Sequence, residues 1–118
     1  MQSYVIRPDY ALGPHVAALG LAFAQGAILG PDYASGAFIA EHGSWNRRPR
    51  SGYKVVFVPF AQGKPIGKPR DILTGFLSAD EEARGRPVAV AIGKRGGLLV
   101  SDDVGGVIWR VTAAAPKK

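Results

Sequence analysis

The sequence predicts an all-β protein, and three observations carry that expectation. Sixteen Gly and nine Pro in 118 residues interrupt the chain too often for long helices, because these are the poorest helix formers and the commonest turn residues. Between them stand short apolar runs rich in β-branched and aromatic residues, the composition of strands. Two stretches also repeat the same order of residue types. Apolar residues make up 47% of the chain and charged residues 20%, the balance of one soluble globular domain rather than of a disordered tail.

Taken in order, Tyr4 to Ile6 is a candidate short strand. Leu19 to Phe23, Ala37 to Ala40, Tyr53 to Phe60, Ile72 to Leu77, Pro87 to Ile92, Leu98 to Ser101 and Val107 to Val111 then read as strands, each bounded by Gly, Pro, Asn or Asp. Only Ser78 to Arg84 reads as helical. There Ser78 is placed as N-cap and Glu81, three residues on, completes a capping box for a turn or two. Residues 1–112 form the expected folded part, and residues 113–118 a disordered C-terminal tail.

The repeat narrows the architecture to two readings. Gly36-Ala37-Phe38-Ile39-Ala40-Glu41-His42-Gly43 is echoed by Gly97-Leu98-Leu99-Val100-Ser101-Asp102-Asp103-Val104-Gly105. In each copy a glycine turn leads into apolar strand residues, a small residue, an acid and another glycine turn. An apolar strand precedes each copy and a β-branched strand follows it. Such a unit of roughly 40–50 residues is how a β-propeller blade looks in sequence. From the pattern alone the chain reads equally as about two four-stranded antiparallel blades or as a small closed β-sandwich or barrel. A propeller closes with about four to eight blades, so two blades imply missing upstream blades or a homo-oligomer.

Composition also excludes functions. No cysteine is present, which removes disulfides, thiolate metal sites and cysteine nucleophiles. No apolar run approaches the roughly 20 residues of a membrane helix, and the first residues lack the pattern of a signal peptide. No membrane partner is expected, and the compartment is left unknown. The net charge is +6, gathered at Arg47, Arg48, Arg50 and Lys54, then at Lys64, Lys68 and Arg70, and at Lys117 and Lys118. Without interleaved aromatics or a helix-turn-helix pattern, this reads as a concentrated anion site, and no nucleic-acid partner is expected.

The wording of the sequence adds a resemblance. Asp9 to Phe23, Glu41-His42-Gly43-Ser44-Trp45-Asn46-Arg47 followed by Ser51 to Val56, Gly85 to Val90, and Leu98 to Asp103 resemble the second half of the soluble pyrroloquinoline quinone (PQQ)-dependent sugar dehydrogenases. The sorbosone dehydrogenase-like branch is the nearest. The resemblance implies a six-bladed propeller that holds PQQ with calcium and oxidises a sugar or aldehyde by hydride transfer to the quinone. It implies export of relatives to the periplasm or medium. It also implies that the catalytic base and the calcium ligands lie in earlier blades. This chain then corresponds to the last two blades and contributes cofactor-binding arginines, with no catalytic or metal-ligating residue of its own. The alternative is a catalytically inactive, self-associating structural module.

PQQ carries several carboxylates, whose burial needs cations and donors. Arginine suits them because its planar fork pairs bidentately with carboxylate. Arg84 and Arg86 resemble an Arg-x-Arg element that grips the cofactor in the family, and strand alternation would direct both to one side; solvated loop arginines are the other reading. Arg47, or Arg50 beside it, stands near a lysine of the broader family. His15 occupies a place where relatives carry a hydroxyl residue, or is a surface-loop histidine. Trp45 either stacks on the quinone or packs locally. His42 beside Glu41 is a candidate cleft donor. Asp102 and Asp103 point to opposite faces, which favours turn-capping acids over a shared metal.

Overall fold

The computed structural model describes residues 7–45 and 49–114. Its strands are β1 (Ala18–Phe23), β2 (Gly36–Glu41), β3 (Lys54–Ala61), β4 (Lys64–Pro65), β5 (Arg70–Leu73), β6 (Pro87–Ile92), β7 (Leu98–Asp102) and β8 (Val107–Val111). A single 3-10 turn spans Pro31–Tyr33, and the described residues contain no α-helix. All pairings are antiparallel. β1, β2 and β3 lie side by side, with β4 and β5 on the far edge of β3, and β6, β7 and β8 form a second sheet. The strands thus divide five and three rather than four and four. Both sheets are open, so the alternative of a closed barrel is corrected.

The sheets meet face to face. Phe38, Val55 and Phe57 from the first sheet pack with Leu98 and Val100 from the second, all of them fully buried. Burying each such side chain contributes roughly 1.5–3 kcal/mol. Phe57 is wedged between aromatic neighbours, with ring centroids 4.9 Å from Phe38 and 5.2 Å from Tyr33. The first strands make the closest approach. A Cβ on Gly20 would stand 2.5 Å from the Val88 carbonyl oxygen and 2.8 Å from Ala89 Cα, so β1 lies directly on the β6 backbone because this residue has no side chain. Each first strand carries an irregularity near its start, between Ala18 and Gly20 and between Pro87 and Val90.

Most expected strands recur within a residue or two. The helix expected at 78–84 does not form. Glu81 has φ 61°, which a right-handed turn cannot include, and Leu77 instead bridges Ala83. Ser78 still acts as a cap of sorts, since its Oγ accepts from the Glu82 N–H at 3.0 Å. The expected strand Ile72 to Leu77 ends at Leu73. Tyr53 stands outside β3 with φ 59°. The candidate strand Tyr4 to Ile6 and residues 115–118 lie outside the described residues.

Candidate functional site

At one end of both sheets four chain segments converge: the exit of β2, the entry of β3, the entry of β6 and the β7–β8 turn. Arg86 ties them together. Its backbone N–H donates to Asp102 Oδ1 at 2.9 Å, its Nε to the His42 carbonyl at 2.9 Å, and its Nη2 to the Gly43 carbonyl at 2.6 Å. The guanidinium carbon lies 4.9 Å from the centre of the Tyr53 ring, within cation–π range. One half-buried arginine at the entry of the second sheet thus grips the loop that leaves β2 on the first.

That loop is shaped by a close approach. Gly43 has φ +100°, and the Tyr53 ring occupies the space a Cβ would need. Only glycine meets both conditions. The Tyr53 hydroxyl donates to the Ser44 carbonyl and accepts from Arg50 Nη1 at 3.0 Å. Ser44 and Ser51 close the loop, with Ser51 N–H donating to Ser44 Oγ and Ser44 N–H donating to the Ser51 carbonyl, each at 2.9 Å. The Arg50 N–H reaches Glu81 Oε1 at 2.6 Å, so the carboxylate expected to close a capping box serves another loop.

A second link spans the sheets. His42 Nε2 lies 3.1 Å from both oxygens of Asp103, so the tautomer with hydrogen on Nε2 donates to that carboxylate. Asp102, the preceding residue, is buried and accepts from the N–H groups of Arg86, Val104 and Gly105 and from Trp109 Nε1. Burial alone would raise its pKa, but the donors, Gly105 and Arg86 foremost, hold it below the usual aspartate value. It is a turn-capping acid, as expected. No group of three or more His, Cys, Asp or Glu side chains converges among the described residues.

Of the sequence candidates, Arg86 stands at the centre of this junction. Arg84 is exposed two residues away, and its N–H donates to the Phe76 carbonyl at 2.7 Å. Neither residue is within β6, which begins at Pro87, so strand alternation does not aim them together and that part of the expectation is corrected. His15 is exposed with φ 60°; its carbonyl accepts from Ser51 Oγ at 3.2 Å, which seats its segment against the same loop. Trp45 is exposed on that loop. Arg47 lies outside the described residues. Sequence reasoning missed Tyr53 and the His42–Asp103 link. The glycines at 43 and 52 bracketing the loop were the available sign that something packs tightly there.

At the last position of β2, beside His42, Glu41 is buried, and its Oε1 has no hydrogen-bond partner among the described residues. Desolvation raises its pKa, the Lys54 charge opposes this, and Asp71 adds to it. Lys54 itself is paired with Asp71 at 3.0 Å.

Comparisons with known proteins extend this picture. A family model described as TrAA12-like matches residues 2–114. An uncharacterized protein of Borreliella burgdorferi is 39% identical over 103 residues, covering 86% of this chain and 27% of that protein. A pyrroloquinoline quinone-dependent pyranose dehydrogenase of Coprinopsis cinerea is 46% identical over 54 residues, covering 46% of this chain and 7% of the enzyme. The solved holo form of the pyranose dehydrogenase PQQ domain from that organism superposes with a TM-score of 0.69 at 31% identity, over 91% of this chain and 29% of the domain. A calcium structure of Trichoderma reesei Carbohydrate-Active Enzymes Family AA12 gives a TM-score of 0.63 at 28% identity, over 80% of this chain and 24% of that one. The chain thus spans well under a third of the relatives it matches.

Proposed function

The chain belongs to the TrAA12-like family, and from that premise we propose that it is the closing portion of a PQQ-dependent dehydrogenase acting on a sugar or aldehyde. On this reading its sheets are two blades of a six-bladed propeller, and the nearer kinship is to the aldose or sorbosone branch. The similarity to an enzyme whose name specifies the quinone is the observation that carries the proposal.

The donor chemistry at the sheet junction fits such a cofactor. A guanidinium has more N–H groups than the two that Arg86 uses on carbonyls. Among the described residues the rest have no hydrogen-bond partner, which leaves them to pair with a carboxylate from a position Tyr53 helps to fix. Arg84, Arg47 and His15 would add charge or donors around it. When bound, such a quinone supplies the oxidant that takes hydride from the substrate carbon. This chain's part is to bind and orient; the base and the calcium ligands belong to other segments of the whole protein.

Titration of the chain with PQQ in the presence of calcium, followed by tryptophan fluorescence, tests this. Binding should weaken roughly tenfold or more in Arg86→Lys, which keeps charge but loses the fork, since a charged hydrogen bond is worth about 1.5–3 kcal/mol. Arg84→Ala should weaken it less, with both circular dichroism spectra unchanged. Absence of binding, or equal affinity in Arg86→Lys, overturns the proposal.

A further inference from the structure

His42 and Asp103 hold the same place in the two copies of the repeat, each following the buried acid that ends its strand. The main chain uses them alike. The His42 N–H donates to the Ala17 carbonyl at 2.9 Å and the Asp103 N–H to the Arg86 carbonyl at 3.3 Å, in each case to the residue that precedes the first strand of its own sheet. Their side chains are what the copies do not share. One carries a donor and the other an acceptor, and the two meet across the sheets with His42 Nε2 3.1 Å from both Asp103 oxygens.

That contact closes a frame around Arg86. The Arg86 main chain is held by the β7–β8 turn, its N–H by the Asp102 carboxylate and its carbonyl by the Asp103 N–H. The side chain is held by the loop after β2, with Nε on the His42 carbonyl and Nη2 on the Gly43 carbonyl. Nε and Nη2 form one edge of the planar guanidinium. Spending that edge on two successive carbonyls leaves the outer edge, Nη1 and the second hydrogen of Nη2, as a parallel pair of donors suited to a carboxylate. Its direction is set by where the His42 and Gly43 carbonyls stand. Two holds fix them. The N–H groups of the same two residues bond the Ala17 and Val16 carbonyls, and the His42–Asp103 contact ties the acceptors of the Arg86 side chain to the turn that holds its main chain.

We propose that His42 and Asp103 are positioning residues: their contact holds the carbonyls on which Arg86 rests and so aims its outer edge at the ligand. The ligand itself rests on the reading above, in which a carboxylate of the quinone meets Arg86. The frame does not, since every contact in it joins described residues of this chain. Losing either side chain leaves the main-chain bonds of His42, Gly43 and Asp103 in place, and the Asp103 side chain is 56% exposed. The fold therefore persists while the aim of the fork loosens.

Two readouts on the 118-residue chain test this, the first without any ligand. In nuclear magnetic resonance of chain labelled with nitrogen-15 arginine, the Arg86 Nε–H signal, identified by its absence in Arg86→Lys, should be resolved and slow to exchange with water. In His42→Ala and in Asp103→Ala it should move toward the position of solvated arginines and exchange roughly threefold faster or more, with circular dichroism unchanged. The double variant should be no worse than either single one, because both remove the same contact. His42→Gln, which keeps an N–H donor, should recover most of the parent signal. In the second readout, affinity for PQQ with calcium should fall roughly twofold to fivefold in each alanine variant, the range for a partly exposed ion pair, and should fall no further when either change is added to Arg86→Lys. An Arg86 signal that neither alanine variant alters, or that His42→Gln fails to recover, overturns the proposal. So does a loss of PQQ affinity that persists in the Arg86→Lys background. A parent that binds no PQQ while the Arg86 signal responds as expected overturns the quinone reading instead, and the spectra support the positioning.

Discussion

Glu41 and Asp102 end corresponding strands, yet they have opposite circumstances. Each opposes the start of a first strand, Ala18 in one sheet and Pro87 in the other, and each is almost fully buried. Asp102 accepts four N–H groups and its pKa is lowered; Glu41 leaves one oxygen without a partner among the described residues and its pKa is raised. The cause is the connection that follows. Residues 103–106 turn tightly enough to bring Val104 and Gly105 back onto the Asp102 carboxylate. After β2 the N–H groups of His42 and Gly43 go to the Ala17 and Val16 carbonyls and that of Ser51 to Ser44 Oγ, none of them to Glu41. The same acid position is a structural anchor in one sheet and a local cost in the other.

The largest test of that contrast is Asp102→Ala. It would strand several N–H groups at the junction, and the expected loss is about 3–5 kcal/mol in urea unfolding. A loss below about 1 kcal/mol would mean that water serves those donors equally well. The pH dependence has a definite sign. With a native pKa below the usual value of 3.8, Asp102 contributes stability that is present above that value and lost as pH falls through the lower native one. Asp102→Asn should flatten this acid limb. Next in size is Gly20→Ala, where the added methyl meets the β6 backbone rather than a movable side chain. A loss of about 1–3 kcal/mol, with a changed near-ultraviolet spectrum, is expected as the sheets separate.

What the sequence made legible was local. Val107 to Val111 and Pro87 to Ile92 coincide with β8 and β6 because β-branched residues between glycine turns leave few other options. The capping role of Asp102 was readable for the same reason, since its partners Val104 and Gly105 lie within three residues. The Ser78–Glu81 pair misled because a capping box has the same spelling whether or not the chain continues as a helix; here Glu81 takes a left-handed conformation and bonds Arg50, 31 residues away. Arg86 was singled out through resemblance, but its grip on His42 and Gly43 spans 44 and 43 positions. The His42–Asp103 link spans 61. Such partners are set by how the sheets pack, which no local pattern contains. β4, only two residues long, has too few positions to show alternation.

The smallest effect, and the one with reversed sign, belongs to Glu41→Gln. A raised native pKa means that the folded state holds its proton where the unfolded chain has released it. Stability contributed by this group therefore falls as pH rises from the usual glutamate value of 4.5 toward the native one. Glutamine keeps the shape and removes the charge that burial penalises, while giving up the attraction to Lys54. Because Lys54 is already paired with Asp71, the desolvation relief should prevail. The variant should match the parent at pH 4 and exceed it by up to about 1 kcal/mol at pH 7. Equal stability at both pH values would place a partner on the orphaned oxygen. A variant less stable at pH 7 would make Lys54 the dominant neighbour and remove the contrast with Asp102.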